Sequence, residues 1–361
     1  MPGGGEPLAS IDELIHDLHN GDEKTRAFAA EDIVFDGVPG GIKILVDRLE
    51  IEESRFVREV IVNCLKGLKE REIVKRIIPL LSSEDAFIRN SSIEILSLQG
   101  EIAMEFMRKL LGNPDKDIRK FALDILFQLK TLHTAELIAE GLNDPDINNQ
   151  ITAVEYLGHM EDANYTPKIN DLFIRSDNIL LRGTCLEALA LIGDEESIRC
   201  VNKMYPNYQN ISILEQYSFL KFVARKGSDI HLRLIISLIE EKGKVMHKEI
   251  INAIEGILKR NPRKMLPPDL LKALSYYLKI DISNINKYEL LILMGHYQNL
   301  EIYQVLLEYA GDKETLIRMG AVEGLGLYGN SEAIPILKGM KDKESDQDLL
   351  ETIDKSIARL Y

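Results

Sequence analysis

His16 and His19 are the one close histidine pair in the chain, three residues apart with Asp12 and Asp17 beside them. On a helix they would share a face, and two imidazoles with a carboxylate can hold a transition metal. A pair so near a chain end is more simply a solvated one, and no metal or other cofactor is expected. Cys64, Cys185 and Cys200 are odd in number and lack CxxC spacing, so neither a disulfide framework nor a zinc site follows. The GxxxxGK[ST], GxSxG and HExxH patterns are absent too, which removes the common phosphate-loop, hydrolase and zinc-protease chemistries. Gly324-Leu325-Gly326-Leu327-Tyr328-Gly329 spells GxGxxG, but no strand pattern precedes it as a dinucleotide fold requires.

What remains suits recognition better than reaction. Lys259-Arg260-Asn261-Pro262-Arg263-Lys264 is a basic turn that leads through Met265-Leu266-Pro267-Pro268 into a helix starting at Asp269. Between Lys221 and Lys287 there are 14 Lys or Arg against 7 Asp or Glu, and nine of the thirteen tyrosines fall between Tyr205 and Tyr309. Tyrosine gives large contact area with a polar tip. The candidate partner contacts are therefore Lys259, Arg260, Arg263, Lys264, Tyr276 and Tyr277. The bland alternative is a solvated loop beside tyrosines that fill irregular packing.

Charge narrows the partner. The formal net charge of −14 argues against generic binding to phosphate backbones, which a basic surface drives by releasing counterions. One basic loop reaches few phosphates, so nucleic acid is a weak third choice. A protein with an acidic segment fits the local charge better. No run approaches the ~18–20 apolar residues of a membrane helix, and Met1-Pro2-Gly3-Gly4-Gly5-Glu6-Pro7 has neither the basic nor the apolar region of a signal peptide. A cytoplasmic protein is expected; nothing in the sequence sets its oligomeric state.

The elements that would carry these residues recur. Arg26, Arg58, Arg89 and Arg119 are spaced by 32, 31 and 30 residues, each after an acidic turn, as in Asp115-Lys116-Asp117-Ile118-Arg119. Aligning Asn113-Pro114-Asp115 with Asp144-Pro145-Asp146 puts Gln150 in the arginine's place, and Arg182 follows it by 32. From Arg182 to Arg318 there is room for four units of about 34 residues. Within a unit Ile118, Phe121, Ala122, Ile125 and Leu126 form one helical stripe, and Leu132, Leu137, Ile138 and Leu142 a second. Glycines such as Gly158, Gly193 and Gly329 suit the left-handed residue that ends a helix. Two-residue alternation is nowhere sustained, so no sheet is expected. Leu349, Leu350, Ile353, Ile357 and Leu360 mark a last amphipathic helix, a cap against end-to-end stacking.

Segments such as Ile317-Arg318-Met319-Gly320-Ala321, running on to Ala333-Ile334-Pro335-Ile336-Leu337, resemble HEAT repeats of the short, phycobilisome-lyase-like kind. The resemblance covers roughly residues 20–200 and 310–361; residues 206–300 share only the apolar spacing. It implies an all-α, right-handed α-solenoid of about ten helical hairpins, with the second helix of each lining a concave face. It also implies that the repeated Asp and Arg brace one turn against the next. The divisions expected are a flexible tail at 1–10, regular repeats at 11–205, irregular ones at 206–310, and a final repeat with its cap at 311–361.

Enzymes of this architecture can be checked against the residues. Deoxyhypusine hydroxylases carry repeated His-Glu pairs, and none of the seven histidines here precedes Glu. Alkylpurine glycosylases use a basic channel with Trp, and this chain has no Trp. Bilin lyases show few fixed catalytic residues, so attaching or orienting a bilin on a client stays open as the alternative. The expected function is a noncatalytic adaptor or scaffold that presents a concave surface to a protein partner.

Overall fold

Apolar residues repeating at three and four positions bury one side of a helix. The computed structural model of the protein, which describes residues 10–206, 211–242, 246–280 and 282–361, is helical in every regular element of them. Residues 1–9 of the expected tail lie outside the description, and Ser10 caps the first helix. Packing divides the chain into two compact units, Met1–Asp162 and Ala163–Tyr361.

The first unit holds α1 (Ile11–Asn20), α2 (Glu23–Phe35), α3 (Gly41–Ile51), α4 (Arg55–Gly67), α5 (Arg71–Ile77), α6 (Ala86–Ser97), α7 (Glu101–Leu111), α8 (Lys116–Leu129), α9 (Thr134–Glu140) and α10 (Ile147–His159). The second holds α11 (Thr166–Arg175), α12 (Ile179–Ile192), α13 (Glu195–Met204), α14 (Ile213–Lys226), α15 (Asp229–Lys242) and α16 (His247–Arg260). It continues with α17 (Pro268–Lys279), α18 (Asn284–Gly295), α19 (Leu300–Tyr309), α20 (Thr315–Tyr328), α21 (Ala333–Lys341) and α22 (Gln347–Leu360). The fold class is an all-α solenoid of hairpins, with eleven helix pairs among the described residues where about ten were expected.

The recurrent arginine is the fourth residue of its helix in α2, α4, α6, α8, α12 and α20, and Gln150 holds that place in α10. The same position carries the register through 206–300, where it is Gln216 in α14, Ile250 in α16 and Lys287 in α18.

Five of the six arginines grip twice, while Arg89 closes only its own turn, through the carbonyls of Ser83 and Glu84. Arg119 Nη1 donates to the carbonyls of Asn113 and Pro114 at 2.9 and 3.0 Å, closing its own turn. Its Nε and Nη2 take both oxygens of Asp144, in the following turn, at 2.7 and 2.9 Å. Arg26 with Glu52, Arg58 with Asp85, Arg182 with Glu215 and Arg318 with Glu344 repeat the second grip. Gln150 keeps only the first, to the Asp144 carbonyl at 2.6 Å, and Gln216 does likewise to Ile211 at 3.1 Å. Glutamine can close a turn but brings no charge to the next carboxylate.

Two local expectations fail for physical reasons. Leu132 is 96% exposed, because Lys130 ends α8 in the left-handed region and the turn before α9 swings Leu132 out of the stripe. Among the three glycines only Gly329 is left-handed; Gly158 lies inside α10, and Gly193 is needed because a Cβ there would meet the Leu189 carbonyl oxygen at 2.3 Å.

In the second unit the even-numbered helices come backbone to backbone. A Cβ on Gly256 would lie 2.0 Å from the Ala224 carbonyl oxygen, and one on Gly295 2.5 Å from that of Gly324. The even helices are thus the tighter of the two rows. Leu349, Ile353 and Leu360 of α22 are buried, and α22 packs on α20 and α21. No described helix is long and apolar enough to cross a membrane.

Candidate functional site

The residues singled out from the sequence separate into four environments. Tyr277 is wholly buried, and its hydroxyl lies 2.6 Å from His247 Nδ1, so it cannot touch a partner. Burial pushes its phenol pKa up. Tyr276, one position earlier on α17, is 48% exposed. This corrects the expectation of a tyrosine pair: adjacent helical residues point about 100° apart, and α17 buries one of them.

Arg260 is also committed to the fold. Its Nε, Nη1 and Nη2 donate to the carbonyls of Gly227, Ala224 and Val223 at 2.9, 2.7 and 2.8 Å, filling the acceptors that the end of α14 leaves open. Arg263 pairs with the Asp229 carboxylate and also bonds the Asn261 carbonyl, so it braces the turn. The Lys264 side chain is exposed while its carbonyl accepts from the Gln298 amide at 2.8 Å. Asn299 holds both the amide and the carbonyl of Leu266. The loop is therefore buttressed from beneath and presents only part of its charge.

The other tyrosines of the cluster mostly pack. Tyr205, Tyr297 and Tyr303 are buried, and Tyr288 bonds Glu323 at 3.1 Å. Tyr208 lies outside the described residues. Tyr217 stays exposed, with the Lys221 ammonium 4.4 Å above its ring.

Lys259 and Arg260 do share a feature, though with residues the sequence reading passed over. An open groove of about 580 Å³ runs across the C-terminal ends of α12, α14 and α16. Leu191, Arg225, Lys226, Glu255, Lys259 and Arg260 are among its lining residues, and the close approach at Gly256 shapes its floor. Lys259 is 73% exposed and pairs with Glu255 at 2.7 Å. Burial, then the charges of Arg225 and Arg260, lowers the Lys226 pKa. Four lining cations around one lining carboxylate, with the charge of Asp194 also felt by Lys226, leave excess positive charge in a concave place, which suits an anionic group. The signal for Arg225 and Lys226 was their position at the end of a helix one repeat before Lys259 and Arg260.

At the other candidate, His16 Nδ1 lies 3.2 Å from the Asn20 side-chain amide. Among the described residues no three His, Cys, Asp or Glu side chains gather as metal ligands would.

Residues 267–357 match the family described as HEAT repeats. That segment is a HEAT-repeat array. The Arg318 grip and the glycine-tight packing of α18 and α20 described above lie inside it. The rest of the chain shares the HEAT type of fold through the same hairpins and the same fourth-residue position. No curated protein matches the chain by sequence. Among solved structures, the karyopherin Kap121p bound to the SUMO protease Ulp1p is similar, with a TM-score of 0.64 at 14% identity over 100% of this chain and 46% of that one. Importin beta in an ammonium sulfate condition gives 0.63 at 11% identity over 97% of this chain and 57% of that one. The chain spans about half the length of these HEAT proteins, and at such identity the likeness is one of fold. The complex of CpcE and CpcF of phycocyanin lyase from Nostoc reaches a TM-score of only 0.28 at 17% identity over 77% of this chain and 97% of that one, which bears no argument for a bilin.

Proposed function

We propose that the protein is a noncatalytic adaptor that holds a protein partner against the exposed face of its even-numbered helices, and that an acidic segment of that partner seats in the groove of Arg225, Lys226 and Lys259. The observation that carries this reading is the groove itself, where four lining cations meet a single lining carboxylate. Kap121p, similar in fold, has been seen bound to a protein, a SUMO protease. Lys264, which follows α16 by four residues, and Tyr276, on α17 at the opposite end of that hairpin, are both exposed and remain candidate contacts outside the groove. Arg260 supplies charge but is kept out of the test because it caps α14.

Affinity capture from native lysate, with the proteins retained identified by mass spectrometry, tests the reading. The Arg225→Glu, Lys226→Glu, Lys259→Glu protein should lose a partner that the native protein keeps, with unchanged far-ultraviolet circular dichroism. Retention of the same partner by both would remove the groove as its site, and retention of no protein by either would count against an adaptor.

A further inference from the structure

The formal charge of the chain sits almost wholly in the first compact unit. Residues 1–162 carry 18 Lys or Arg against 31 Asp or Glu, whereas residues 163–361 carry 26 against 27. Part of this excess is ordered. Counting five residues on from the gripping position of each even helix gives Glu31, Asn63, Glu94, Asp124 and Glu155, so four of five repeats place a carboxylate at the same register. Glu31, Glu94 and Glu155 are exposed, with Glu94 paired to Lys66 of α4, and Asp124 is held by Lys120 and by the Tyr156 hydroxyl.

Large apolar side chains stand beside these acids. On α2, Phe28, Glu31, Asp32 and Phe35 fall at i, i+3, i+4 and i+7, one face of the helix, and all are exposed. Phe28 is 63% and Phe35 86% exposed, and Phe56 on the adjoining α4 is 51% exposed, with Glu59 three residues on. α4 packs on α2, its Cys64 thiol donating to the Ala30 carbonyl at 3.7 Å. Where α2 ends, a recess of about 390 Å³ opens, lined by Val34, Val38, Pro39 and Ile42 together with Glu70, Glu72, Lys43 and Arg76, the last paired with Glu72. Three exposed phenylalanines on neighbouring helices mark an interaction surface more than a solvated one.

We infer that the even-helix face of α2, α4 and α6 is a second docking surface, whose occupant is a basic protein segment with apolar side chains, lying across the helices. The inference rests on the adaptor reading and adds a site of opposite sign to the groove. Charge complementarity selects the occupant: Glu31 and Asp32 on α2 and Glu94 on α6 flank the phenylalanines, while α4 has Asn63 at the shared register and carries its acid, Glu59, one turn earlier in a pair with Arg55. Packed helices lie ~8–10 Å apart, and a polyproline II chain rises ~3.1 Å per residue with three residues per turn, which puts every third side chain on one face. A segment with Lys or Arg at every third position therefore meets successive repeats in register.

The test uses the full-length protein and a fluorescein-labelled peptide of repeated Lys-Ser-Leu, followed by anisotropy. Two control peptides replace each Lys with Glu, or bunch the same lysines at one end. The regular basic peptide should bind at least tenfold more tightly than either control and weaken as salt rises. The Glu31→Lys, Asp32→Lys, Glu94→Lys protein should lose at least tenfold, as should Phe28→Ser, Phe35→Ser, while the groove reversal should leave binding unchanged. Equal binding of a control peptide, or indifference to both sets of substitutions, would overturn the inference. So would sedimentation showing a dimer that Phe28→Ser, Phe35→Ser dissolves, since the face would then belong to a second copy. If the capture experiment retains no protein but the peptide behaves as described, the adaptor reading fails and this surface stands. If a partner is captured by native and Glu31→Lys, Asp32→Lys, Glu94→Lys proteins alike and the peptides do not discriminate, the surface fails and the adaptor stands.

Discussion

Glu52 is the most heavily engaged of the bracing carboxylates. It is 1% exposed and takes hydrogen bonds from Arg26, Arg48 and the Ser54 amide. Burial would raise its pKa, but these donors outweigh burial and hold it at about 2. A depressed carboxyl contributes stability that is complete above its ordinary value near 4.5 and is lost as pH falls toward about 2. Glu52→Gln keeps the shape but leaves two guanidiniums without their counter-charge, so it should cost about 3–5 kcal/mol at pH 7. It should also flatten the acid limb of the stability profile between those two pH values. Urea unfolding at a series of pH values, read by hydrogen exchange of peptides from 23–67, checks both; an acid limb as steep as the native one would refute the assignment. The thiols give a second residue-scale outcome. Burial pushes Cys64 up to about 11 and raises Cys185 and Cys200 as well. Thiolate is the reactive form, so a disulfide reagent at pH 8 should label the native protein far more slowly than the urea-unfolded one, whose three thiols should react together.

At the scale of the helix, close packing decides which glycines matter. Gly256→Ala forces a methyl into the Ala224 carbonyl of the neighbouring helix and should cost about 1–3 kcal/mol, outweighing the better helix propensity of alanine. Gly339, inside α21, has nothing within 4 Å of where a Cβ would stand. Gly339→Ala should therefore stabilise by up to about 1 kcal/mol. Thermal unfolding of the two variants should move in opposite directions. Nothing in the sequence marks Gly256 off from Gly339, because the difference lies on another helix. The hairpins themselves were plain, since the apolar stripe and the arginine spacing are local, and Gln150 was placed correctly by the Asp-Pro-Asp turn before it. The site was harder to see. Composition picked out a basic, tyrosine-rich stretch, but whether Tyr277 faces in or out, or Arg260 caps a neighbouring helix, depends on contacts 30 or more residues away in the chain.

For the molecule as a whole, the uneven charge has a consequence for stability. The first unit, with 31 acids against 18 bases, repels itself at neutral pH, whereas the second, with 27 against 26, does not. Surface repulsion is screened within about 8–10 Å at 0.1–0.15 M salt, while buried grips such as Arg119 with Asp144 are screened far less. Raising sodium chloride from low to physiological strength should therefore slow hydrogen exchange in helices α2 to α10 more than in α12 to α22. A uniform response would mean that local ion pairs such as Lys66 with Glu94 and Lys120 with Asp124 already cancel the excess field. The opposite response, with the first unit loosened by salt, would mean that exposed pairs stabilise it more than its net charge strains it. Because a basic partner on the α2, α4 and α6 face would relieve the same repulsion, the regular basic peptide at low salt should protect the first unit as salt does, and its protective effect should shrink as salt is added.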